Sequence, residues 1–419
     1  MALNIALNPS EQSALMHLYL TRLKPLMIES ALFADGTPYY RQYYQKGSGY
    51  EVRLRFRTAK DNVLAVTVEK EGTSIPMKKI KTDKQFDYYE ARMMCTNGEH
   101  YYFRVTDGVK EVFYNKRGVM PEVQEYYSFT FVPEFTTPDW AKGAVFYQIF
   151  PDRFCNGNPD NDVVDGEYIY IKQRVEQVKD WEERPQAMDV ARFYGGDLQG
   201  IWSKLDYLQD LGVDVIYLNP IFVSPSNHKY DIQDYDYVDP HFGVVVEDGG
   251  ESLKEWEHEN TLASKYIRRV TDKRNLEASN EYFAALVKEI HRRGMRIILD
   301  GVFNHCGSFN KWLDRERIYE DQEGYEKGAY IAQDSPYHSF FKFKEGSQWP
   351  YNEDYDGWWG HNTLPKLNYE ESKQLEEYIL RIGKKWVSEP YNVDGWRLDV
   401  AADLGYSSEY NHQFWKKFR

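Results

Sequence analysis

An arginine and an aspartate stand two residues apart near the end of the sequence. Arg397 and Asp399 lie in an apolar segment, Val393–Val400, that is typical of a β-strand. Because strand side chains alternate between faces, the two should point the same way, and a guanidinium keeps a neighbouring carboxylate ionised. An ionised carboxylate at the end of a strand can act as a nucleophile. The same pair could equally be a structural ion pair at the edge of a sheet.

Three further apolar segments also carry polar side chains at their carboxyl ends: Ala144–Phe154, Asp214–Asp231 and Met295–His305. Asp300 and His305 close the last of these segments. His228 and Tyr230, which follow the second, offer a hydrogen-bonding ring and a flat stacking face.

Helical patterns separate these strands, at about Leu198–Leu211, Ser279–Arg293 and Glu371–Val387. Repeated alternation of strand and helix predicts an α/β fold with a parallel sheet. Polar groups at the carboxyl ends of such strands point to a (β/α)8 TIM barrel, whose functional residues gather at that face.

Five motifs in order resemble the signature regions of the alpha-amylase superfamily of retaining glycoside hydrolases: His228–Asp231, Asp239–Gly243, Asp300–His305, Leu364–Asn368 and Gly395–Asp399. Leu364–Asn368 is similar to the Met-Pro-Lys-Leu-Asn signature of the neopullulanase and cyclomaltodextrinase subfamily, with Leu in place of Met. The resemblance covers roughly residues 138–419. It implies hydrolysis of α-1,4-glucosidic bonds in cyclodextrins, pullulan or maltooligosaccharides by a retaining double displacement.

The resemblance also implies roles for individual residues. Asp399 would be the nucleophile, held ionised by Arg397. His228 and His305 would hydrogen-bond the sugar hydroxyls before the scissile bond, and Tyr230 would stack on that sugar. Asp300 would support the group through Arg397.

Two tryptophans precede Leu364–Asn368 in the sequence. Trp358 and Trp359 could stack on sugar rings or could simply anchor their loop. Two rival functions stay open: a non-catalytic glucan-binding module, and a transglycosylase that uses the same covalent intermediate.

A turn rich in oxygen donors follows the first strand. Closely spaced amides and carboxylates suit Ca²⁺, a hard cation with six to eight oxygen ligands, although an Asx-turn loop without metal has the same composition. The resemblance implies a structural Ca²⁺ site with a Gly-Gly-Asp turn as its second half, although Asn158 stands where the family has Asp. The ligand set would be Asn156, Asn158, Asn161, Asp162, Gly195 and Asp197.

The sequence changes character along its length. Residues 1–24 form an N-terminal extension with a candidate helix, Ser10–Leu23, and residues 25–134 predict a β-sandwich with hairpin turns at Asn97-Gly98 and Asp107-Gly108. This sandwich resembles the starch-binding-like domain of the subfamily, which implies a homodimer in the full-length enzyme. Residues 139–419 then predict the first half of the barrel. A protruding domain is expected over about 306–367, and a charged surface insertion over Val244–Ala278.

Retaining hydrolysis requires a second carboxyl group about 5–5.5 Å from the nucleophile, as proton donor. The resemblance places that group, a Glu, after a fifth strand and therefore beyond Arg419. Glu409 is the one acid after Asp403, and it does not match the donor motif. We therefore expect this chain to be inactive as a hydrolase, although it could still bind glucan.

The amino-acid composition indicates which classes of binding partner the protein can have. The net charge of −14 argues against nucleic acid and anionic membranes, whereas the 16% aromatic content suits a carbohydrate surface. Three widely spaced cysteines, Cys95, Cys155 and Cys306, form no disulfide framework. With no evident leader and no long apolar run, the sequence predicts a cytoplasmic protein. The family resemblance implies an α-glucan oligosaccharide as its substrate.

Overall fold

The computed structural model describes residues 9–13, 27–133, 135 and 137–419. By its internal contacts the chain divides into two compact units, Met1–Asp139 and Trp140–Arg419. Residues 9–13 are helical, but the rest of the helix predicted over Ser10–Leu23 lies outside the described residues.

The first unit is a β-sandwich of antiparallel strands. One sheet has the order β1-β2-β6-β5, and the other has the order β4-β3-β7-β8-β9, with β10 paired to β7. Alternate residues of β2, including Leu54 and Phe56, point inward and meet Phe103 and Val105 of β7 in a single apolar core. The strands are β1 Arg41–Lys46, β2 Gly49–Ala59, β3 Ala65–Lys70, β4 Thr73–Pro76, β5 Lys78–Thr82, β6 Phe86–Cys95, β7 His100–Thr106, β8 Glu111–Asn115, β9 Gly118–Met120 and β10 Phe129–Thr130.

Only one of the two predicted hairpin turns is a hairpin. Asp107-Gly108 joins the antiparallel strands β7 and β8, and Oδ1 of Asp107 accepts hydrogen bonds from the backbone of Val109 and Lys110. The Asn97-Gly98 prediction was wrong. It joins β6 to β7, which lie in different sheets, because both sides of β6 are already paired with β2 and β5.

The second unit is built on a four-stranded parallel sheet. Its strands occur in chain order, β11-β16-β19-β20, with every neighbouring pair parallel. They are β11 Phe146–Ile149, β16 Val215–Leu218, β19 Arg296–Gly301 and β20 Gly395–Leu398, and the short strands between them are β12 Ile169–Tyr170, β13 Gln173–Arg174, β14 Glu176–Gln177, β15 Arg192–Phe193, β17 Phe222–Val223 and β18 Asp234–Val238. This order confirms the predicted parallel α/β architecture and brings the carboxyl ends of all four strands to one edge.

Helices follow the strands and bury their apolar faces against the sheet. They are α1 Leu198–Ser203, α2 Leu205–Asp210, α3 Ser264–Thr271, α4 Lys273–Arg292, α5 Lys373–Trp386 and α6 Ser408–Phe418. Short 3₁₀ turns occur at Glu29–Ala31, Glu125–Tyr127, Asp139–Ala141, Pro151–Arg153, Pro159–Asn161, Asn260–Leu262, His338–Phe340, Trp358–Gly360 and Ala401–Asp403. α4 begins six residues before the predicted start, because the side chain of Asp272 accepts a hydrogen bond from the backbone of Arg274 and caps the helix there.

The segment Val244–Ala278 is more than the surface excursion that its charge predicted. It contains α3, whose residues Tyr266, Arg269 and Val270 are buried. A charged residue such as Arg269 is rarely buried unless it is paired, so this helix docks through polar as well as apolar contacts.

The region 306–367 leaves the sheet after β19 and returns to it before α5. Isolated backbone bridges pair His305 with Lys366 and Gly357 with Pro365, so the two ends of the excursion lie side by side. Among the residues that the structure describes, no helix combines the length and the apolar character needed to cross a membrane.

Candidate active site

One guanidinium group joins two carboxylates at the carboxyl end of the parallel sheet. Nη1 of Arg397 lies 3.1 Å and 3.2 Å from the two carboxylate oxygens of Asp300, and 2.6 Å from Oδ1 of Asp399. The register of β19 and β20 places Asp300 opposite Arg397, and the backbone N–H of Asp399 bonds the carbonyl of Gly301. The Asp300 side chain is fully enclosed, whereas 15% of the Asp399 side chain is exposed. One carboxylate is thus buried and the other is accessible.

Two tyrosine hydroxyls complete the surroundings of Asp300. Tyr217 from β16 and Tyr230 both donate to its Oδ2, the second at 2.9 Å. Burial raises the pKa of Asp300, and these hydroxyls and Arg397 oppose that rise. Burial disfavours the charge on Arg397, but the hydrogen bond to Asp399 and the charge of Asp300 raise its pKa overall. Arg397 therefore remains a cation at any pH at which the protein is folded.

His305 lies against this cluster in an enclosed position. Its ring is 1% exposed and stacks on Trp358, with 4.8 Å between the ring centroids and 5° between the planes. Burial lowers the pKa of His305 to about 4, while the charge of Asp399 and the backbone of Tyr230 oppose that shift. The imidazole is therefore neutral at physiological pH, and a neutral ring has one N–H to donate and one nitrogen to accept.

His228 is also neutral and has a defined tautomer. Its Nδ1 accepts the backbone N–H of Tyr230 at 3.1 Å, so the ring proton belongs on Nε2. Burial lowers the pKa of this histidine as well. The ring centroids of His228 and Tyr230 are 5.9 Å apart, and the hydroxyl of Tyr230 is held by Asp300.

The two tryptophans have different surroundings. Trp358 donates from Nε1 to Asp403 at 3.0 Å and covers His305 with one ring face, so it anchors its loop. Trp359 is 81% exposed. Of the two rings, Trp359 is the one with free area for a ligand.

Lys366 connects this loop to the sheet. Its Nζ donates to Oδ1 of Asn304 at 2.7 Å and to the carbonyl of Asp403 at 2.6 Å. Asn304 precedes His305 in the chain, so Lys366 fixes the backbone from which the histidine projects.

Two non-glycine residues next to the cluster have a left-handed backbone. Val400, directly after Asp399, has φ +39°, and Lys229, between His228 and Tyr230, has φ +57°. Such conformations cost on the order of 1–3 kcal/mol and persist only where the surroundings impose them. In both places the turn orients a neighbouring polar side chain.

A chain of buried ion pairs runs from Lys229 to the helix α3. Nζ of Lys229 lies 2.6 Å from Asp239, whose other oxygen lies 2.7 Å from His241, and His241 lies 2.9 Å from Glu167. Glu167 in turn pairs with Arg269 at 3.0 Å. Burial disfavours a charged His241, but the two carboxylates raise its pKa overall. With His241 protonated, positive and negative side chains alternate through the whole chain, which is how buried charges are tolerated.

The oxygen-rich loop after β11 meets the Gly195–Asp197 turn. Nδ2 of Asn156 contacts both oxygens of Asp162, at 2.8 Å and 2.9 Å, and Oδ1 of Asn161 is buried without a hydrogen-bond partner. A Cβ on Gly195 would lie 2.5 Å from Oδ1 of Asp162, so only glycine fits there.

The two carboxylates of this loop have different partners. Asp197 accepts from the backbone of Gly157, Asn158 and Gly200 and caps α1. Burial raises the pKa of Asp162 to about 6, and nearby carboxylates add to the shift. No group of three or more His, Cys, Asp or Glu side chains suited to a metal occurs in the described part of the chain, so a cation here would need amide and backbone oxygens in addition to a carboxylate.

Sequence reasoning missed several residues that hold the site together, namely Tyr217, Lys229, Lys366 and Arg269. Tyr217 could have been found, since it is the hydroxyl-bearing side chain in the apolar strand Val215–Leu218 and shares a face with Asn219. Arg269 could not have been found from the sequence in this way, because its buried partner Glu167 lies 102 residues away in the chain.

Two family models match the chain. The model described as alpha amylase, catalytic domain, matches residues 148–262 and 278–416, and the alpha amylase N-terminal ig-like domain matches residues 27–133. The chain belongs to the alpha-amylase family. The predicted family and fold class, a TIM-barrel type of catalytic domain after a β-sandwich, are thereby confirmed.

Curated members of the alpha-amylase family are about twice as long as the part of them that this chain matches. The intracellular maltogenic amylase of Bacillus subtilis (strain 168) is 37% identical over 82% of this chain and 48% of its own length. Neopullulanase 2 of Thermoactinomyces vulgaris is 32% identical over 88% of this chain and 54% of its own. The chain therefore spans about half the length of the curated relatives it matches.

A solved structure agrees with these matches. The type III pullulan hydrolase from Thermococcus kodakarensis has 27% identity and a TM-score of 0.54, over 91% of this chain and 58% of that one. The alpha-amylase catalytic model does not match residues 263–277, which include α3 and its buried Arg269.

We expect Arg269→Met to lower the free energy of unfolding by about 3–5 kcal/mol, because it removes one partner of the buried Arg269–Glu167 pair and leaves the Glu167 carboxylate with His241 alone. Denaturant titration of the second unit, followed by tryptophan fluorescence, measures the change. Arg274→Met is the matched control: this arginine, five residues along the chain, is mostly exposed and should be dispensable. Equal effects of the two substitutions would show that the buried chain adds no stability.

We expect the imidazole of His305 to titrate with a midpoint near pH 4, since burial lowers its pKa. A histidine of ordinary pKa is half protonated at about pH 6.5. The ¹³Cε1 chemical shift, assigned with a His305→Gln variant, should stay constant from pH 8 to pH 5.5. A midpoint near 6.5 would mean that the ring is not enclosed in solution.

Proposed function

We propose that this chain carries the substrate-binding and nucleophile half of an α-glucan hydrolase, with cyclodextrins, pullulan or maltooligosaccharides as substrates. The observation that carries the proposal is the Arg397 bridge, which leaves Asp399 partly exposed and Asp300 buried, in a chain of the alpha-amylase family. Relatives named cyclomaltodextrinase and neopullulanase support this substrate class.

In the proposed reaction a carboxylate oxygen of Asp399 attacks the anomeric carbon. The bond to the leaving sugar breaks, a proton donor protonates the leaving oxygen, and water later hydrolyses the glycosyl ester with overall retention. Arg397 keeps Asp399 anionic and oriented. The neutral ring of His228 donates from Nε2 to a sugar hydroxyl, and Tyr230 and Trp359 offer their ring faces. His305, enclosed beneath Trp358, positions the cluster without contacting the sugar.

The mechanism also needs a proton donor, and the carboxyl groups beside the cluster already have other partners. Asp403 accepts the indole N–H of Trp358 at 3.0 Å. Asp300 is enclosed beneath Arg397 and two tyrosines, so it cannot reach a leaving group. Glu409 lies in the first turn of α6, where its carboxylate accepts a hydrogen bond from Gln413. We therefore propose that the 419-residue chain binds α-glucans without turning them over.

The test is calorimetric titration of the 419-residue chain with maltotriose, together with an assay for released reducing sugar. We expect binding but no turnover, since general acid catalysis alone contributes about 10²–10⁴-fold. His228→Ala should weaken binding about tenfold through a lost hydrogen bond. Asp399→Ala, which removes a group needed for chemistry, should leave binding within about threefold.

Two results would contradict this proposal. Failure of the chain to bind any α-glucan would remove the binding assignment. Measurable turnover would show that a proton donor is present, and Glu409 would then be the first residue to mutate.

We also propose that Ca²⁺ braces the loop after β11. Oδ1 of Asn161, the carboxylate of Asp162, the carbonyl of Gly195 and the amide oxygens of Asn156 and Asn158 would hold it, since hard cations take neutral oxygens as well as carboxylates. The unpartnered Oδ1 of Asn161 and the close approach of Gly195 to Asp162 support this fit. Asp197, whose oxygens already accept several N–H groups, would mainly orient the loop.

Because a cation that binds only the folded state raises stability by mass action, the melting temperature should rise from chelator to millimolar calcium. Differential scanning fluorimetry of the wild type and of Asp162→Asn, which removes the charged ligand, measures this. We expect the rise in the wild type and little or none in the variant. Identical melting curves in chelator and calcium would leave only the metal-free Asx-turn interpretation of this loop.

A further inference from the structure

A cavity of about 940 Å³ lies outside the candidate active site. Its walls are the hairpin of β12 and β13, the segment 258–261 that precedes α3, and parts of the region 306–367. None of the residues assigned above to the nucleophile cluster or to the calcium loop lines it. Its size lies within the range of small-molecule sites, which are about 300–1,000 Å³.

Asn260 fixes the three walls to one another. Its side chain accepts the backbone N–H of Ile169 at 2.8 Å and donates to the carbonyl of the same residue at 2.9 Å. It also donates to Oε2 of Glu316 at 2.9 Å, and it is only 5% exposed itself. A cavity tied by one buried amide is formed in advance of any ligand, which limits the entropic cost of binding.

A continuous backbone pairing connects the cavity to the candidate active site. In the cavity, the N–H of Ser308 bonds the carbonyl of Thr363 at 3.1 Å. The same two segments are joined again between Cys306 and Pro365, at 3.0 Å, and meet at the bridge between His305 and Lys366. Three residues of extended chain span about 10 Å, so the cavity begins within a few linked sugar units of His305.

The polar lining of the cavity is balanced in charge. Three cationic and three acidic side chains contribute to it: Lys172, Arg315, Arg317, Glu259, Glu316 and Glu353. Asn362 and Thr363 add neutral donors and acceptors. A phosphorylated ligand would meet as many acids as cations, whereas a neutral polyhydroxyl chain can use donors and acceptors of both kinds.

One wall of the cavity lies next to the segment in which the chain departs from the family pattern. The alpha-amylase catalytic model stops matching at residue 262 and resumes at 278. Residues 258–261 line the cavity immediately before that gap, and Arg269 within the gap holds α3 in place.

We propose that this cavity is a remote subsite that binds the far part of the same α-glucan chain whose reacting sugar lies at Asp399. This inference rests on the proposed function and deepens it, because it makes the chain selective for long oligosaccharides. The subsite adds affinity for maltoheptaose and none for maltotriose, which is too short to occupy both places.

The test compares maltoheptaose with maltotriose by calorimetric titration of the full 419-residue chain. The variant is Glu316→Gln/Asn362→Ala, in which the amide that replaces the Glu316 carboxylate still offers an oxygen to Asn260, so the walls stay joined. We expect affinity for maltoheptaose to fall about tenfold and affinity for maltotriose to be unchanged. Unchanged maltotriose binding also shows that the variant is folded.

A matched control and a second readout complete the design. Glu122→Gln/Asn97→Ala makes the same two changes at exposed positions of the sandwich and should change neither affinity. The δ1 methyl resonances of Ile169 and Ile171, in the cavity wall, should shift with maltoheptaose and not with maltotriose.

The outcomes separate the two proposals. Equal maltoheptaose affinity in wild type and cavity variant, with silent Ile169 and Ile171 methyls, overturns the remote subsite while maltotriose binding preserves the proposed function. A wild-type chain that binds neither sugar overturns the proposed function, and the remote subsite with it.

Discussion

The candidate site depends on the hydrogen bonds that one guanidinium group, that of Arg397, makes to two carboxylates. Arg397 contacts a carboxylate on its own strand and another on the neighbouring strand, and it can do so only in the observed register of β19 and β20. A shift of one residue would turn Arg397 to the other face of the sheet. The apolar core beneath the strands therefore fixes the electrostatics at their ends, and the burial of Asp300 is compensated by a cation and two hydroxyls.

The residues around the Arg397 cluster are in turn held in place by a second set of contacts. His305 lies between Asn304, which Lys366 binds, and the ring of Trp358. His228 and Tyr230 flank Lys229, whose ammonium is the first member of the buried ion-pair chain that ends at Arg269. Burial keeps the rings of His228 and His305 neutral, so each has one N–H to donate and one nitrogen to accept. A helix outside the family match is thus connected, through paired charges, to the loop that carries His228 and Tyr230.

The sequence sufficed to predict the parallel strands and the polar residues at their ends, because apolar runs that alternate with helical patterns are local signals. The sequence did not suffice to predict contacts between segments that lie far apart in the chain. The sheet change at Asn97-Gly98, the hydroxyl of Tyr217 on Asp300 and the docking of Arg269 each depend on which segments become neighbours. The start of α4, by contrast, is determined by a local feature of the sequence, because Asp272 is an ordinary helix cap.

The central claim is that Arg397 presents Asp399 as a nucleophile, and trapping its covalent product tests this most directly. A maltosyl fluoride carries a leaving group that departs without a proton donor, so the first step should proceed in this chain without a second carboxyl group. Incubation with a slowly hydrolysed fluorinated analogue, followed by peptide mass spectrometry, should find one added glycosyl group on the peptide that contains Asp399. The adduct should vanish in Asp399→Asn. A label on any other residue, or no label on a chain that demonstrably binds maltotriose, would contradict the account.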